Sequence, residues 1–182
     1  MTATLLTARS LRRALADRDP HTAGHAARVT RLGLSLARAL EAPAASIEAV
    51  RAGGPLHDVG KLDVSRAILQ KAGPLDACEL AEIRRHPVVG ARLVAQIRSL
   101  RHAVGCVLHH HERWDGTGYP DGLDAEEIPF EARILAVVDA YDAMTSRRPY
   151  RTPLTHREAL LELQRCAGSQ FDPRVARAFL AL

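Results

Sequence analysis

The chain has 182 residues, the length of one domain or of one domain with a short extension, and enough to bury a core. Hydrophobic residues make up 47% and aromatics only 4%, so the core must be mostly Leu, Ala, Val and Ile, which suits packed helices. A formal charge of +4, from 25 basic and 21 acidic side chains, is too mild for a DNA-binding protein but suits a small anion met by a few placed arginines.

Cys78, Cys106 and Cys166 are too few and too scattered for a disulfide framework or a thiolate metal knot, so a reducing cytoplasm is expected. The N-terminus has no long apolar core of the signal-peptide kind. No apolar run approaches the ~18 residues of a membrane helix, and no membrane partner is expected.

Along the chain most segments read as helix. Leu5, Leu6, Leu11 and Leu15 predict an amphipathic helix to about Ala16. Asp19-Pro20 has the form of a helix start, with Asp as N-cap and Pro in the first turn. The next helix carries His25, Val29, Leu32, Leu36 and Leu40 on one stripe and ends at Pro43. A third, from about Ala44 to His57, is interrupted at Gly53-Gly54-Pro55, where a kink is expected and where the glycine pair predicts a loosened approach to His57. Residues 62–75 read as a connector, and helices follow near 76–85, 87–98 and 99–111. The glycine- and proline-bearing stretch 112–130 is a long loop, a form that is usually functional. Residues 131–144 form a strongly apolar helix, TSRRPYRTP a polar loop, and the last helices fall near 155–166 and 173–181. No strand, repeat or low-complexity segment is evident.

The adjacent His57 and Asp58 can reach one metal ion, but a His-Asp dipeptide alone is weak. Weight comes from the others: His25 on an apolar stripe, His86 at a helix start, His110 and His111 at a helix end, and Asp139 among aliphatic neighbours, where a lone carboxylate is costly. Singly, each has a plainer explanation, as a hydrogen-bonded core histidine, a solvated helix end or an Asp paired with amides or an arginine. Jointly they are hard to explain apart. Nitrogen and carboxylate ligands without thiolate argue against structural zinc and fit two ions of iron or manganese roughly 3.5–4 Å apart, able to clamp a phosphate. Lys61 is either a surface lysine or a cation at the leaving oxygen, with Asp19 as candidate partner. Arg147, Arg148 and Arg151 suit phosphate oxygens or form a solvated basic loop. Trp114 and Tyr119 either stack on a base or anchor their loop.

These residues lie in the strings RDPHTAGHAARV (18–29), PLHDVGKL (55–62), HPVVGARLV (86–94), HHERWDGTGYPDGL (110–123), IPFEARILAVVDAYDAMTSRRPYR (128–151) and GSQFDP (168–173). In that order, over nearly the whole chain, they resemble the HD-GYP domain, a subclass of the HD metal-dependent phosphohydrolases. The resemblance implies an all-α HD-domain helical bundle with a long glycine-rich GYP loop, as one domain over 1–182, residues 1–16 being a helix that could end a linker to a sensor domain. It implies hydrolysis of cyclic di-GMP to pGpG or GMP, by in-line attack of a metal-bound hydroxide at a site of two or three divalent ions. His25, His57, Asp58, His86, His110, His111 and Asp139 would be the metal ligands, with Asp58 bridging. Lys61 would sit by the scissile phosphate with Asp19 as its partner, and Arg148 and Arg151 would hold the ligand phosphate. Gly118, Tyr119 and Pro120 form the namesake loop, linked to substrate recognition and to contacts with diguanylate cyclase domains.

One departure is His21, four residues before His25, where three-metal members of the family often carry a glutamate. It is either a ligand to a third ion or an exposed residue in the first helical turn. Alternatives for the whole chain are a phosphodiesterase for another cyclic dinucleotide or nucleotide, and a non-hydrolytic module that binds cyclic di-GMP or docks a cyclase. Loss of metal ligands would mark such a module, and none is missing. A separate sensor protein and a homodimer are further candidate associations.

Overall fold

The computed structural model describes residues 6–18, 20–146 and 152–182. Asp19, Arg147, Arg148 and Arg151 lie outside them, and His21 is placed by its backbone alone. The described residues are helical without a strand, apart from the isolated bridges Asp115–Asp124 and Ala167–Phe171. In chain order the helices are α1 (Ala8–Arg18), α2 (Pro20–Ala39), α3 (Ala44–Gly53), α4 (Arg66–Leu69), α5 (Ala77–Arg84), α6 (His86–Ala95), α7 (Val104–His109), α8 (Phe130–Thr145), α9 (His156–Arg165) and α10 (Pro173–Leu180). Short 3₁₀ turns at Gly54–Leu56, Val59–Asp63, Arg98–Ala103 and Ala125–Glu127 link them.

Local chemistry sets several boundaries. Asp76 and Thr155 close capping boxes with Glu79 and Glu158, and Asp172 accepts from the backbone amides of Arg174 and Val175 ahead of Pro173. The connector expected over 62–75 contains a helix, because the Ser65 side chain caps α4 by accepting from the Ile68 amide. The single helix expected over 99–111 is instead a 3₁₀ turn followed by α7.

Two apolar clusters form the core. One joins α2, α3, α8, α9 and α10 through Val29, Leu36, Val50, Leu135, Leu163 and Phe179. The other joins α1, the first two 3₁₀ turns, α6 and α7 through Leu11, Leu56, Val59, Val94 and Val107. His25 and Asp139 ride on helices of the first, while His57, Asp58, His86 and His110 belong to segments of the second.

The break before His57 is present, since α3 gives way to the turn Gly54–Leu56 with Pro55 inside it. The glycine pair does not loosen this approach. A Cβ on Gly53 would lie 3.0 Å from Cys106 and one on Gly54 2.7 Å from Thr30 Oγ1, so the glycines permit tight helix contacts. The closest approach is at Gly60, where a Cβ would stand 1.9 Å from the His86 carbonyl oxygen and 2.6 Å from the Gly90 amide. The turn carrying His57 and Asp58 thus rests backbone to backbone on α6. Gly60→Ala is expected to cost at least about 1–3 kcal/mol through forced separation of these segments. Urea denaturation measures it, and an unchanged midpoint would show that the contact is dispensable.

Candidate metal centre

Three histidines are oriented by the same device. The Nδ1 of His57 lies 2.8 Å from the Gly54 carbonyl, that of His86 2.7 Å from Ile83 and that of His110 2.8 Å from Val107, each three residues back. A carbonyl only accepts, so each Nδ1 carries the proton and each Nε2 presents a lone pair. His25 is held by a carboxylate instead, its Nδ1 lying 2.8 Å from Asp142 Oδ2. Asp142 is in turn fixed by a two-pronged contact from Arg28, at 2.6 and 3.0 Å.

The Nε2 atoms so aimed converge in pairs. Those of His25 and His57 are 3.2 Å apart, and those of His86 and His110 3.3 Å. Two facing lone pairs at this distance repel unless a cation lies between or beside them. For His25 a proton can serve: burial opposes it, but Asp139 and Asp142 outweigh burial and raise the imidazolium to about 9. For the second pair a proton is disfavoured. Burial lowers His86 to about 4 and also pushes His110 and His111 down. Neutral, buried imidazoles with converging lone pairs are what a divalent ion requires.

Asp58, only 4% exposed, stands between the pairs. Its Oδ1 is 3.4 Å from His86 Nε2, and its Oδ2 is 3.5 Å from His57 Nε2 and 2.7 Å from Lys61 Nζ. Burial would raise its carboxyl, but Lys61 and the surrounding imidazoles hold it well below the usual range. Asp139 Oδ1 lies 3.1 Å from His25 Nε2 and 3.9 Å from His57 Nε2. The ligand atoms of His25, His57 and Asp58 all fall within 4.8 Å of one another, as do those of His86, His110 and His111. The seven residues expected as ligands therefore meet at one place, in two groups, with no sulfur donor among them. The donor set suits a divalent transition metal.

The loop after α7 closes over this centre. The Tyr119 ring stacks on His111 at 4.9 Å, with the Arg84 guanidinium 5.3 Å from the ring centre, and burial raises the phenol to about 12. Gly118 lets the chain pass over Glu112 and Arg113, since a Cβ there would lie 2.4 Å from the Arg113 amide. Pro120 follows Tyr119 in the cis form. Trp114 and Asp115 donate backbone hydrogen bonds to Gln170 and Ser169, so Trp114 anchors the loop to the GSQFDP string. A cavity of about 180 Å³ beside the centre is lined by His110, His111, Asp139 and Gln170 among others.

Three residues of this arrangement were not expected from sequence. Asp142 and Arg28 orient His25. Glu112, 3% exposed, accepts the backbone amides of Asp121 and Gly122 at 2.7 and 3.1 Å and so ties down the loop that carries Tyr119. The i, i+3 spacing of Asp139 and Asp142 on one helix was the available signal for the first.

Residues 9–175 match the family model described as HD domain. The chain belongs to that family, and its HHExxDGxGYP string sets it in the HD-GYP subclass. It is 45% identical over 163 residues to a cyclic di-GMP phosphodiesterase of Pseudomonas aeruginosa, covering 89% of this chain and 39% of the relative. It is 33% identical over 173 residues to a 3′3′-cGAMP-specific phosphodiesterase of Vibrio cholerae, covering 94% of this chain and 33% of the relative. Among solved structures, an HDGYP protein from Bdellovibrio bacteriovorus superposes with a TM-score of 0.68 at 20% identity, covering 88% of this chain and 51% of that one, a likeness of fold. The chain spans less than half the length of the curated relatives it matches. No helix among the described residues is long and apolar enough to cross a membrane.

Asp142→Ala is expected to weaken metal binding about 10–100-fold by freeing the His25 ring, with helix content unchanged by circular dichroism. Competition with a chromogenic chelator measures it, and an affinity within about twofold of the wild type would remove Asp142 from the centre.

Proposed function

We propose that this chain is a metal-dependent phosphodiesterase that hydrolyses cyclic di-GMP to pGpG, GMP or both. The observation that carries the reading is the pair of facing Nε2 contacts, His25–His57 and His86–His110, with the Asp58 carboxylate between them. His25, His57, Asp58 and Asp139 would hold one divalent ion, and His86, His110, His111 and the other oxygen of Asp58 a second, iron or manganese in each case. Bound there, the ions would supply a polarised water for attack and positive charge for the phosphoryl oxygens.

The chain's own residues do the rest. Asp58 is kept ionised and can face both ions. Lys61, held at 2.7 Å on Asp58, is the proposed cation that would neutralise the departing 3′ oxygen. Asp19 is the proposed further partner of Lys61, and Arg148 and Arg151 the proposed phosphate grips. Gly118, Tyr119 and Pro120 form the wall over His111 that the substrate meets. His57→Ala or Asp58→Ala should lower hydrolysis by about 10³-fold or more, since each removes a ligand that nothing else replaces. The check is chromatography of products from protein purified without oxygen, its metals counted. Mutants or chelated protein as active as the wild type would refute the mechanism.

A second substrate reading rests on the 33% identity to a 3′3′-cGAMP-specific relative: the metal chemistry does not discriminate between bases. Parallel kcat/KM values for cyclic di-GMP, 3′3′-cGAMP and cyclic di-AMP separate the two. His21, one turn before His25 on α2, is proposed as a ligand to a third ion. Three metals per chain, falling to two in His21→Ala, would support this, and an unchanged count would return His21 to the surface.

A further inference from the structure

A second cavity has no His, Cys, Asp or Glu among its described lining residues. It is a groove of about 720 Å³ between α1 and α2, flanked by Arg9, Arg12 and Arg13 on one helix and Arg31 and Arg38 on the other. All five are exposed, and no acidic side chain lines the groove among the described residues. The arginine ion pairs among the described residues use Arg28, Arg51, Arg113, Arg133 and Arg165. None uses the five of the groove. Between the arginines the lining is mostly apolar and small, Ala26, Ala27, Leu34 and Pro55 beside the hydroxyls of Thr22, Thr30 and Ser35.

From this juxtaposition we infer that the α1–α2 groove is a docking site for an acidic amphipathic helix of a partner protein. The dimensions match. The lining runs along α2 from Thr22 to Arg38, about 24 Å or four to five turns at 1.5 Å per residue. A helix laid there buries its apolar stripe on the alanine and leucine floor and sets flanking carboxylates against arginines on both rims. Other occupants fit less well. Nucleic acid bases need aromatic platforms, and none lines the groove among the described residues. A lipid surface is met by a protruding apolar face, whereas this one is recessed. A second copy docking the same face would oppose five arginines to five.

The test uses the full chain with its metals and a fluorescent peptide of about 14 residues, helical, with leucines at alternating third and fourth positions and glutamates on both flanks. Fluorescence anisotropy at low salt is expected to show binding, weakened about tenfold or more by Arg12→Glu with Arg31→Glu. Arg157→Glu, on the exposed side of α9, is expected to have no effect, and a peptide with lysines in place of the glutamates should not bind. The neutral pair Arg12→Gln and Arg31→Gln should give an intermediate loss, which separates charge from misfolding. Basal hydrolysis should be unchanged in all of these, so the outcome does not hinge on the substrate. Equal binding of both peptides, or a reversal variant that binds as the wild type does, would overturn the inference. So would tighter binding of a single-stranded oligonucleotide or phosphatidylserine vesicles that the same reversal abolishes, or self-association of the chain with that sensitivity.

Discussion

Asp58 is a carboxylate with almost no water around it, and it stays ionised because cationic or cation-binding groups surround it. Its two oxygens meet different partners, one His86 and the other His57 and Lys61. Burying such a charge alone would cost several kcal/mol. The arrangement is tolerable only if both oxygens are answered, and that condition forces two imidazole groups from distant parts of the chain onto one point. The helices deliver those groups.

That delivery depends on backbone contact more than on side-chain packing. The turn carrying His57 and Asp58 lies against α6 with nothing between Gly60 and the His86 carbonyl. The His86 ring is therefore registered to Asp58 through rigid main chain. Each imidazole is then fixed a second time, by the carbonyl three residues behind it or, for His25, by Asp142. A ring held at Nδ1 keeps its Nε2 aimed at the centre.

The ligands were legible in the sequence because each stood out locally: His25 on an apolar stripe, Asp139 among aliphatics, and His110–His111 before a glycine-bearing loop. The helices with long apolar periods, α2 and α8, were legible for the same reason. The four-residue α4 and the 3₁₀ turn before α7 were not, since they are too short to show a period, and a cap such as Ser65 is visible only with its acceptor geometry. Glu112 and Arg28 escaped for a different reason. As charged side chains they read as solvent-facing, and their partners are 9 and 114 residues away. The glycine pair at 53–54 misled because a missing side chain reads as freedom, whereas here it is the condition for contact.

The support for His25 reaches beyond the centre itself. Asp142 accepts from Arg28 and His25, and also from the Ser146 hydroxyl at 3.2 Å, while Arg28 donates to the same hydroxyl at 3.0 Å. Ser146 is the last described residue before the arginines of 147–151, and on the far side the Leu154 amide bonds to the Met144 carbonyl. Both ends of that segment are thus tied to α8, one of them by the carboxylate that aims His25. Arg148 is two residues from Ser146, a span of at most about 7 Å. A disturbance of Asp142 must therefore act on two things at once, the orientation of a ligand and the anchorage of the segment proposed to grip phosphate. Defects in metal affinity and in KM should then appear together in variants of this cluster.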